Sequence, residues 1–307
     1  MDARVQLGDV VLPSPIVAAS GTFGHGDEVA RLCDPREIGA VTSKSVAPFV
    51  WDGNPAPRVA ALEHGMINAV GLPGPGVEAW VRHDLPALRA LGARVVASIW
   101  GRTADDYALA AKQVLEARDQ IVGLEVNLSC PNTEEGARMF AQSVDATAQV
   151  MDAVTNLTGD LFVTAKLTPM VANIVEIAQA ARAGGATGVT LTNTMVGLAI
   201  DPETRTPLVA NGTGGVSGLP IKPIALRAVH DVHAAIPDLP IIGTGGVMTG
   251  VDAVEMLLAG ATAVGVGTAT FLDPRATIRI NQELVDWCAS HGVDRVAALT
   301  GGLQWPS

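Results

Sequence analysis

The stretch LFVTAKLTPMVANIVEIAQAARAGGATGVTLTN, residues 161–193, contains one complete strand–helix–strand unit of this 307-residue chain. Its two ends, residues 161–167 and 188–193, are short apolar runs, which predict strands buried on both faces. The residues between them, Ile174–Ala183, show the periodicity of an amphipathic helix. This order predicts a βαβ unit with parallel strands.

The same alternation recurs along the chain. It predicts eight strands, at residues 15–19, 40–44, 94–99, 123–128, 161–167, 188–193, 240–243 and 263–266. It also predicts helices at residues 104–117, 144–156, 174–183, 223–235 and 251–258, the first of them capped by Thr103. Eight such units without a domain-sized linker favour an α/β fold of the (β/α)8 TIM barrel type. We expect residues 1–307 to form a single domain.

Three segments stand outside this repeat. Val5–Leu7 and Val10–Leu12 predict an N-terminal β-hairpin that covers the bottom of the barrel. Residues 45–78 and 194–219 are too long for simple connections between strand and helix. We expect both long loops to overhang the C-terminal face of the barrel, where the active sites of such barrels lie.

Composition excludes several classes of function. The net charge of −11 disfavours nucleic acid as a partner. No apolar run reaches the roughly 18 residues that a membrane span needs. The three cysteines are scattered and form neither a disulfide framework nor a metal cluster. These features predict a cytoplasmic protein with reduced thiols, without a membrane anchor and without a metal site.

The predicted fourth strand ends in the polar sequence NLSCPN, residues 127–132, at the barrel end where catalytic groups collect. Pro131 restricts Cys130 to extended geometry, which fixes the direction of its thiol. We predict that Cys130 is a proton acceptor, although an isolated cysteine is more often buried and inert. Cys33 and Cys288 are predicted to be inert in that way.

Two glycine-rich segments follow the last two predicted strands, at residues 243–246 and 265–268. Backbone N–H groups in such loops can converge on an anion, and this position is the usual phosphate site of a barrel. Each segment alone could be no more than a tight turn. Together they predict a phosphate that belongs either to a substrate or to flavin mononucleotide.

Lys44 and Lys166 lie at the ends of the second and fifth predicted strands. A buried ammonium is costly without an anion, so both predict an anionic ligand such as reduced flavin or a carboxylate substrate. A Schiff-base lysine and a structural ion pair remain open alternatives. Four amides near the same face match the edge of a planar imide as a group, although loop asparagines are mostly turn formers: Asn68, Asn127, Asn132 and Asn193. The histidines show no metal-like spacing and are predicted to be surface or loop residues: His25, His64, His83, His230, His233 and His291.

Five motifs together resemble the class 1 dihydroorotate dehydrogenases: residues 19–24, 65–72, 127–132, 210–218 and 243–246. The resemblance extends over almost the whole chain, and it is strongest to subclass 1B on residues 168–176 and 193–227. It implies an FMN-dependent barrel enzyme that oxidises (S)-dihydroorotate to orotate in de novo pyrimidine biosynthesis.

The resemblance also implies roles for individual residues. Cys130 would take a proton from C5 of dihydroorotate while a hydride passes from C6 to flavin N5. The substrate would be held by Lys44, Asn68, Ala69, Val70, Gly71, Leu72, Asn127, Asn132, Asn193 and Thr194. FMN would be held by Ser20, Lys44, Ser45, Ser98, Asn127, Lys166, Thr192, Gly218, Gly245, Gly246, Gly267 and Thr268. Lys166 would stabilise the charge of the reduced flavin.

Subclass 1B catalytic subunits pair with an electron-transfer subunit that carries FAD and a [2Fe-2S] cluster and reduces NAD. The resemblance therefore implies a homodimer or a heterotetramer with such a subunit. Ser98 and the pair Lys44-Ser45 are more similar to the fumarate-linked subclass 1A, and Gly74 replaces a frequent asparagine. The electron acceptor thus stays open between NAD and fumarate.

Three other functions remain as alternatives on the residues alone. The first is a flavin enzyme that acts on dihydropyrimidines without a carboxylate. The second is a barrel lyase that uses Lys166 as a Schiff base. The third is a flavin-binding protein without catalysis.

Overall fold

A computed structural model describes residues 1–129 and 139–305 of the chain. At its centre is a closed barrel of parallel strands: β1 (Ile16–Ala18), β2 (Ala40–Thr42), β3 (Val95–Ile99), β4 (Gly123–Asn127), β5 (Val163–Leu167), β6 (Gly188–Leu191), β7 (Ile241–Thr244) and β8 (Ala263–Val266). Each strand pairs with the next, and β8 pairs with β1, which closes the barrel. The predicted TIM barrel is confirmed, and the eight strands lie at the predicted places, with ends that differ by no more than two residues.

Helices surround the barrel: α1 (Val77–Ala79), α2 (Leu85–Ala90), α3 (Ala104–Val114), α4 (Val144–Thr158), α5 (Ile174–Ala183), α6 (Lys222–Ala235), α7 (Gly250–Ala259), α8 (Ala269–Leu272) and α9 (Ala276–Ser290). A π-helical turn, Trp80–Asp84, joins α1 to α2. The five predicted helices are present, whereas α1, α2, α8 and α9 were not predicted. Thr103 caps α3 as expected, since its hydroxyl accepts the backbone N–H of Asp106 at 3.1 Å.

The strands are buried on both faces because their outer sides pack on helices and their inner sides fill the barrel. Val95, Ala97 and Ile99 of β3 belong to the large cluster between strands and helices. Val96 belongs to a second cluster inside the barrel, together with Val17 of β1. Alternating residues of one strand therefore serve two cores.

The N-terminal hairpin completes the inner core. Its strands, Val5–Leu7 and Val10–Leu12, pair antiparallel, as predicted. Val5, Leu7 and Leu12 pack into the same cluster as Val17 and Val96. The hairpin therefore closes the end of the barrel opposite the C-terminal ends of the strands.

The two long segments are more regular than loops. Val59–Leu62 and Gly65–Asn68 come from the first, and Met195–Gly197 and Gly214–Gly218 come from the second. They form one antiparallel four-stranded sheet, in which Gly214–Gly218 lies between Met195–Gly197 and Gly65–Asn68. A small two-stranded ladder joins Ile200–Asp201 to Thr206–Pro207. The description of these segments as loops was therefore incomplete, because each carries strands that pair with the other.

Cys33 and Cys288 are free thiols within the core, which agrees with their predicted inert role. Burial raises the pKa of both thiols above its usual value, so neither is a ready nucleophile. Within the described ranges, no helix is both long and apolar enough to cross a membrane.

Candidate active site

A cavity of about 370 Å³ lies between the C-terminal ends of the barrel strands and the four-stranded sheet. This volume is in the range of small-molecule sites, roughly 300–1,000 Å³. The two long segments contribute one wall, with Met66, Asn68 and Gly215 among its residues. We call the barrel side, formed by Ser45, Asn127, Lys166 and Thr192, the cavity floor.

Lys44 and Lys166 both line this cavity, although they come from different sides of the barrel. Lys166 is only 6% exposed, and Lys44 is half-buried next to Gly21, where an added Cβ would lie 3.4 Å from the Lys44 Nζ. Charges act more strongly in such a site than in water. Two ammonium groups on one small cavity make it a suitable place for an anion.

Amide groups lie beside the two lysines. Asn193 Nδ2 donates to Asn127 Oδ1 at 3.4 Å, and Asn193 Oδ1 accepts the backbone N–H of Thr194 at 2.8 Å. Across the cavity, Asn68 Nδ2 donates to the carbonyl of Gly215 at 3.2 Å, within the sheet. These bonds hold three amides on one cavity and leave further donors and acceptors for a ligand.

The predicted phosphate loop also lines the cavity. Gly245 and Gly246 have φ values of +131° and +76°, which side chains rarely adopt. A Cβ on Gly245 would lie 2.8 Å from Ala225 Cβ, and one on Gly246 would lie 2.5 Å from Lys222 Cβ. Only glycine fits between the cavity and α6 here, so the backbone itself forms this part of the wall.

Lys222 and Asp252 support this loop from behind. Lys222 Nζ lies 2.6 Å from Asp252 Oδ1 and 2.7 Å from Glu255 Oε2. Burial alone would raise the pKa of Asp252, but hydrogen bonds from Lys222, Met248 and Thr249 lower it below its ordinary value. Thr249 and Asp252 also form the capping box of α7. The start of α6 is thus fixed to the start of α7.

Glu125 belongs to the hydrogen-bond network beneath the cavity floor and was not predicted. It lies in β4, two residues before Asn127, and is 2% exposed. Its Oε1 lies 3.7 Å from Lys166 Nζ and accepts the Ser98 hydroxyl at 3.2 Å. Its Oε2 accepts the Thr190 hydroxyl at 3.1 Å. The sequence signal was present, since a glutamate inside a buried strand must have partners.

Ser98 does not line the cavity. It is fully buried in β3, behind Ser45, and the two hydroxyls are 2.9 Å apart. Ser45 lines the cavity and also accepts Asn127 Nδ2 at 3.2 Å. Ser20 joins this group at 3.3 Å from Ser45 and donates to the carbonyl of Ser43 at 2.7 Å. Ser98 therefore supports Ser45 from the layer below.

The structure brings most of the predicted site residues to one place. Those that line the cavity are Ser20, Lys44, Ser45, Asn68, Ala69, Val70, Gly71, Leu72, Asn127, Lys166, Thr192, Asn193, Thr194, Gly218, Gly245, Gly246, Gly267 and Thr268. Cys130 and Asn132 lie outside the described residues. Ser129 and Met139, which flank that segment, both line the cavity. Asn54, Asn211 and Thr213 also line it and were not predicted.

One predicted loop histidine lies close to the site. His25 is half-buried, and a Cβ on Gly74 would lie 3.3 Å from its Nε2. Burial lowers the pKa of the His25 imidazole, so the ring is neutral at pH 7. Its carbonyl accepts the Trp80 indole N–H at 2.8 Å. His25 thus fills the space beside the turn that follows Leu72.

Comparison with known proteins gives a consistent result over the whole chain. Residues 3–287 match the family model described as dihydroorotate dehydrogenase. The chain is 43% identical over 303 residues to the "Dihydroorotate dehydrogenase B (NAD(+)), catalytic subunit" of Alkaliphilus metalliredigens, covering 99% of both chains. It is 41% identical over 300 residues to the protein of the same name from Trichlorobacter lovleyi, covering 98% of each. It is 40% identical over 303 residues to the protein of that name from Phocaeicola vulgatus, covering 99% of each chain.

Proposed function

Since the chain belongs to the dihydroorotate dehydrogenase family, we propose that it oxidises (S)-dihydroorotate to orotate with FMN in the barrel cavity and Cys130 as base. This reaction is a step of pyrimidine biosynthesis. The observation that carries the proposal is the meeting of Lys44, Lys166 and three amides on one cavity. The chain on both sides of Cys130 lies at that cavity, at Ser129 and Met139.

Two features of the described residues fit FMN, in a family that uses flavin in general. Gly245 and Gly246 line the cavity and pack against α6 with no room for a Cβ, so backbone without side chains faces the ligand, which suits the close approach of a phosphate to N–H groups. Thr192 Oγ1 is buried at the cavity floor, and no hydrogen-bond partner for it lies among the described residues. We propose that Gly267 and Thr268 complete the phosphate site, and that Thr192 contacts the flavin ring.

We assign the remaining residues by their charge and hydrogen-bonding groups. Bound FMN supplies the acceptor for the hydride that leaves C6. Cys130, as thiolate, accepts the proton from C5. Lys44 is suited to the substrate carboxylate, and Asn68, Asn127 and Asn193 are suited to the edge of the pyrimidine ring. Lys166 stabilises the negative charge that the ring system gains on reduction.

We propose NAD as the final electron acceptor, because the relatives are named as catalytic subunits of an NAD(+)-linked enzyme. We propose that this chain, as a single FMN-binding domain, forms a homodimer that associates with an electron-transfer subunit carrying FAD and an iron–sulfur cluster. The heterotetramer then reduces NAD. The free, buried thiols of this chain, Cys33 and Cys288, are consistent with a location in the reducing cytoplasm.

The alternatives are less consistent with the described site. A Schiff-base lyase would use Lys166 as its nucleophile, whereas the Lys166 Nζ lies 3.7 Å from the buried carboxylate of Glu125, an arrangement that suits an ion pair. A dihydropyrimidine without a carboxylate would bring no anion into a cavity that two ammonium groups line.

The test uses the purified chain, with FMN bound, supplied with dihydroorotate and either NAD, fumarate or an artificial dye. We expect turnover with the dye, none with NAD until the partner subunit is added, and none with fumarate. Turnover with fumarate would assign the chain to the fumarate-linked subclass instead. Cys130→Ser should retain FMN and lose turnover by at least about 100-fold, in line with general-base catalysis. Cys288→Ala, in the core, is the matched control and should retain turnover.

A further inference from the structure

Beneath the cavity floor lies a buried carboxylate that the proposed mechanism does not use. Glu125 lies on β4 with its side chain inside the barrel, and partners from three neighbouring elements surround it. Lys166 of β5, Ser98 of β3 and Thr190 of β6 lie 3.7, 3.2 and 3.1 Å from its oxygens. A carboxylate that is 2% exposed is retained at such a cost only with partners of this kind.

The ion pair between Glu125 and Lys166 is a loose one. A separation of 3.7 Å is longer than a hydrogen bond, so the two charges balance each other without a direct N–H···O contact. Lys166 lines the cavity, whereas Glu125 lies one step further along the barrel interior. The ammonium therefore faces a cavity ligand with part of its charge already compensated from behind.

The same carboxylate orients a chain of hydroxyl groups. Because Ser98 donates its single proton to Glu125, the 2.9 Å contact between Ser98 and Ser45 must use the Ser45 proton. Ser45 then accepts Asn127 Nδ2 at 3.2 Å. As the final acceptor, Glu125 thus sets the direction of the two hydroxyl hydrogen bonds, from Ser45 to Ser98 and from Ser98 to the carboxylate.

We propose that Glu125 is a positioning residue that sets the charge balance and the hydrogen-bond direction at the cavity floor, and thereby limits how strongly Lys166 stabilises the reduced flavin. This inference rests on the proposed binding of FMN in the cavity. It extends the proposed function by naming a residue that tunes the flavin without contacting it. Ser98, buried behind Ser45, belongs to the same hydrogen-bond network.

The test measures the midpoint potential of the bound flavin in the FMN-loaded chain and in variants. Glu125→Gln removes the compensating charge and should raise the potential by about 30 mV or more, which for two electrons is a tenfold change in the affinity ratio of reduced to oxidised flavin. Lys166→Met should lower the potential. The double variant should lie above Lys166→Met. Thr190→Val removes a hydrogen bond to the same carboxylate but no charge, and its potential should equal that of the wild type.

A merely structural role would give a different pattern. Glu125→Gln would then lower stability but leave the potential unchanged, or move it in the same direction as Lys166→Met, and either result would overturn the inference. If Glu125→Gln does not fold, the double variant replaces it, because removing both members of a buried pair is better tolerated than removing one. A potential for the double variant at or below that of Lys166→Met would also overturn the inference.

Failure of this inference can be told apart from failure of the proposed function. The proposed function fails if the wild-type chain binds no FMN or does not transfer electrons from dihydroorotate. The inference about Glu125 fails alone if the wild type does both and the potentials do not follow the predicted order.

Discussion

The glycine at position 246 offers a quantitative test of the proposed phosphate site. In Gly246→Ala the alanine must keep a φ of +76°, a conformation that costs an L-residue roughly 1–2 kcal/mol relative to glycine, with its methyl group directed at α6. It would also lie 2.5 Å from Lys222 Cβ and 2.9 Å from Lys222 Cα, in the first turn of α6. Overpacking of this kind typically costs about 1–3 kcal/mol. Because the contact includes backbone, the loop rather than the helix is expected to move.

The displaced loop withdraws its N–H groups from the phosphate, so the cost should appear mainly in cofactor binding. A loss of about 3 kcal/mol corresponds to roughly 100-fold weaker binding of FMN. The assay is titration of the apoprotein with FMN, together with thermal unfolding of both forms. Gly292→Ala is the matched control, since Gly292 has a φ of +67° but no atom within 4 Å of an added Cβ. The control should lose about 1–2 kcal/mol of stability and bind FMN as the wild type does. Wild-type FMN affinity in Gly246→Ala would refute the assignment of this loop.

Three further predictions concern thiol reactivity, acid stability and the turn after Leu72. The native chain should react with one equivalent of a thiol reagent, because Cys33 and Cys288 are buried. Orotate should slow that reaction, and Cys130→Ser should abolish it. Reaction of a second thiol would contradict the burial of Cys33 and Cys288. Asp252→Asn should lower the free energy of unfolding at pH 7 by about 1–3 kcal/mol through loss of its charged hydrogen bonds. Because the folded pKa of Asp252 is below its ordinary 3.8, the difference between variant and wild type should persist above that pH and shrink as pH falls further, as measured by urea unfolding. Gly74→Asn should be tolerated, with less than about 1 kcal/mol change in stability, since a Cβ there would lie 3.3 Å from His25 Nε2 and at an ordinary contact distance of 3.8 Å from Val46 Cγ1. A large rise in KM for dihydroorotate would show that the turn requires glycine.

The eight strands could be located from sequence because each is a short apolar run followed by an amphipathic helix. The pairing of the two long segments could not, because it joins strands about 150 residues apart through backbone contacts that leave little local signal. Gly65 and Gly214 are examples, since a Cβ on either would lie within 3 Å of the opposite strand. Their glycines were noted as motif residues, but the sheet that needs them was not foreseen.

The residues of the functional site, too, could be predicted only in part. Strand ends can be read from sequence, and they led correctly to Lys44 and Lys166 as residues of one cavity. Whether a strand residue points into the barrel or towards the helices cannot be read from sequence. Both faces of a barrel strand are buried, so the apolar pattern does not distinguish them. For this reason Ser98 was predicted as an FMN contact although it lies behind Ser45 and does not line the cavity, and no role was predicted for Glu125.

The proposed oxidation is tested most directly by anaerobic mixing of the purified, FMN-loaded chain with (S)-dihydroorotate while the flavin absorbance is recorded. We expect the flavin to be bleached within one turnover and orotate to form in equal amount, whereas dihydrouracil should have no such effect. Cys130→Ser should retain the yellow flavin and bleach at least about 100-fold more slowly. If the wild-type flavin stays oxidised with dihydroorotate bound, the chain does not catalyse this oxidation.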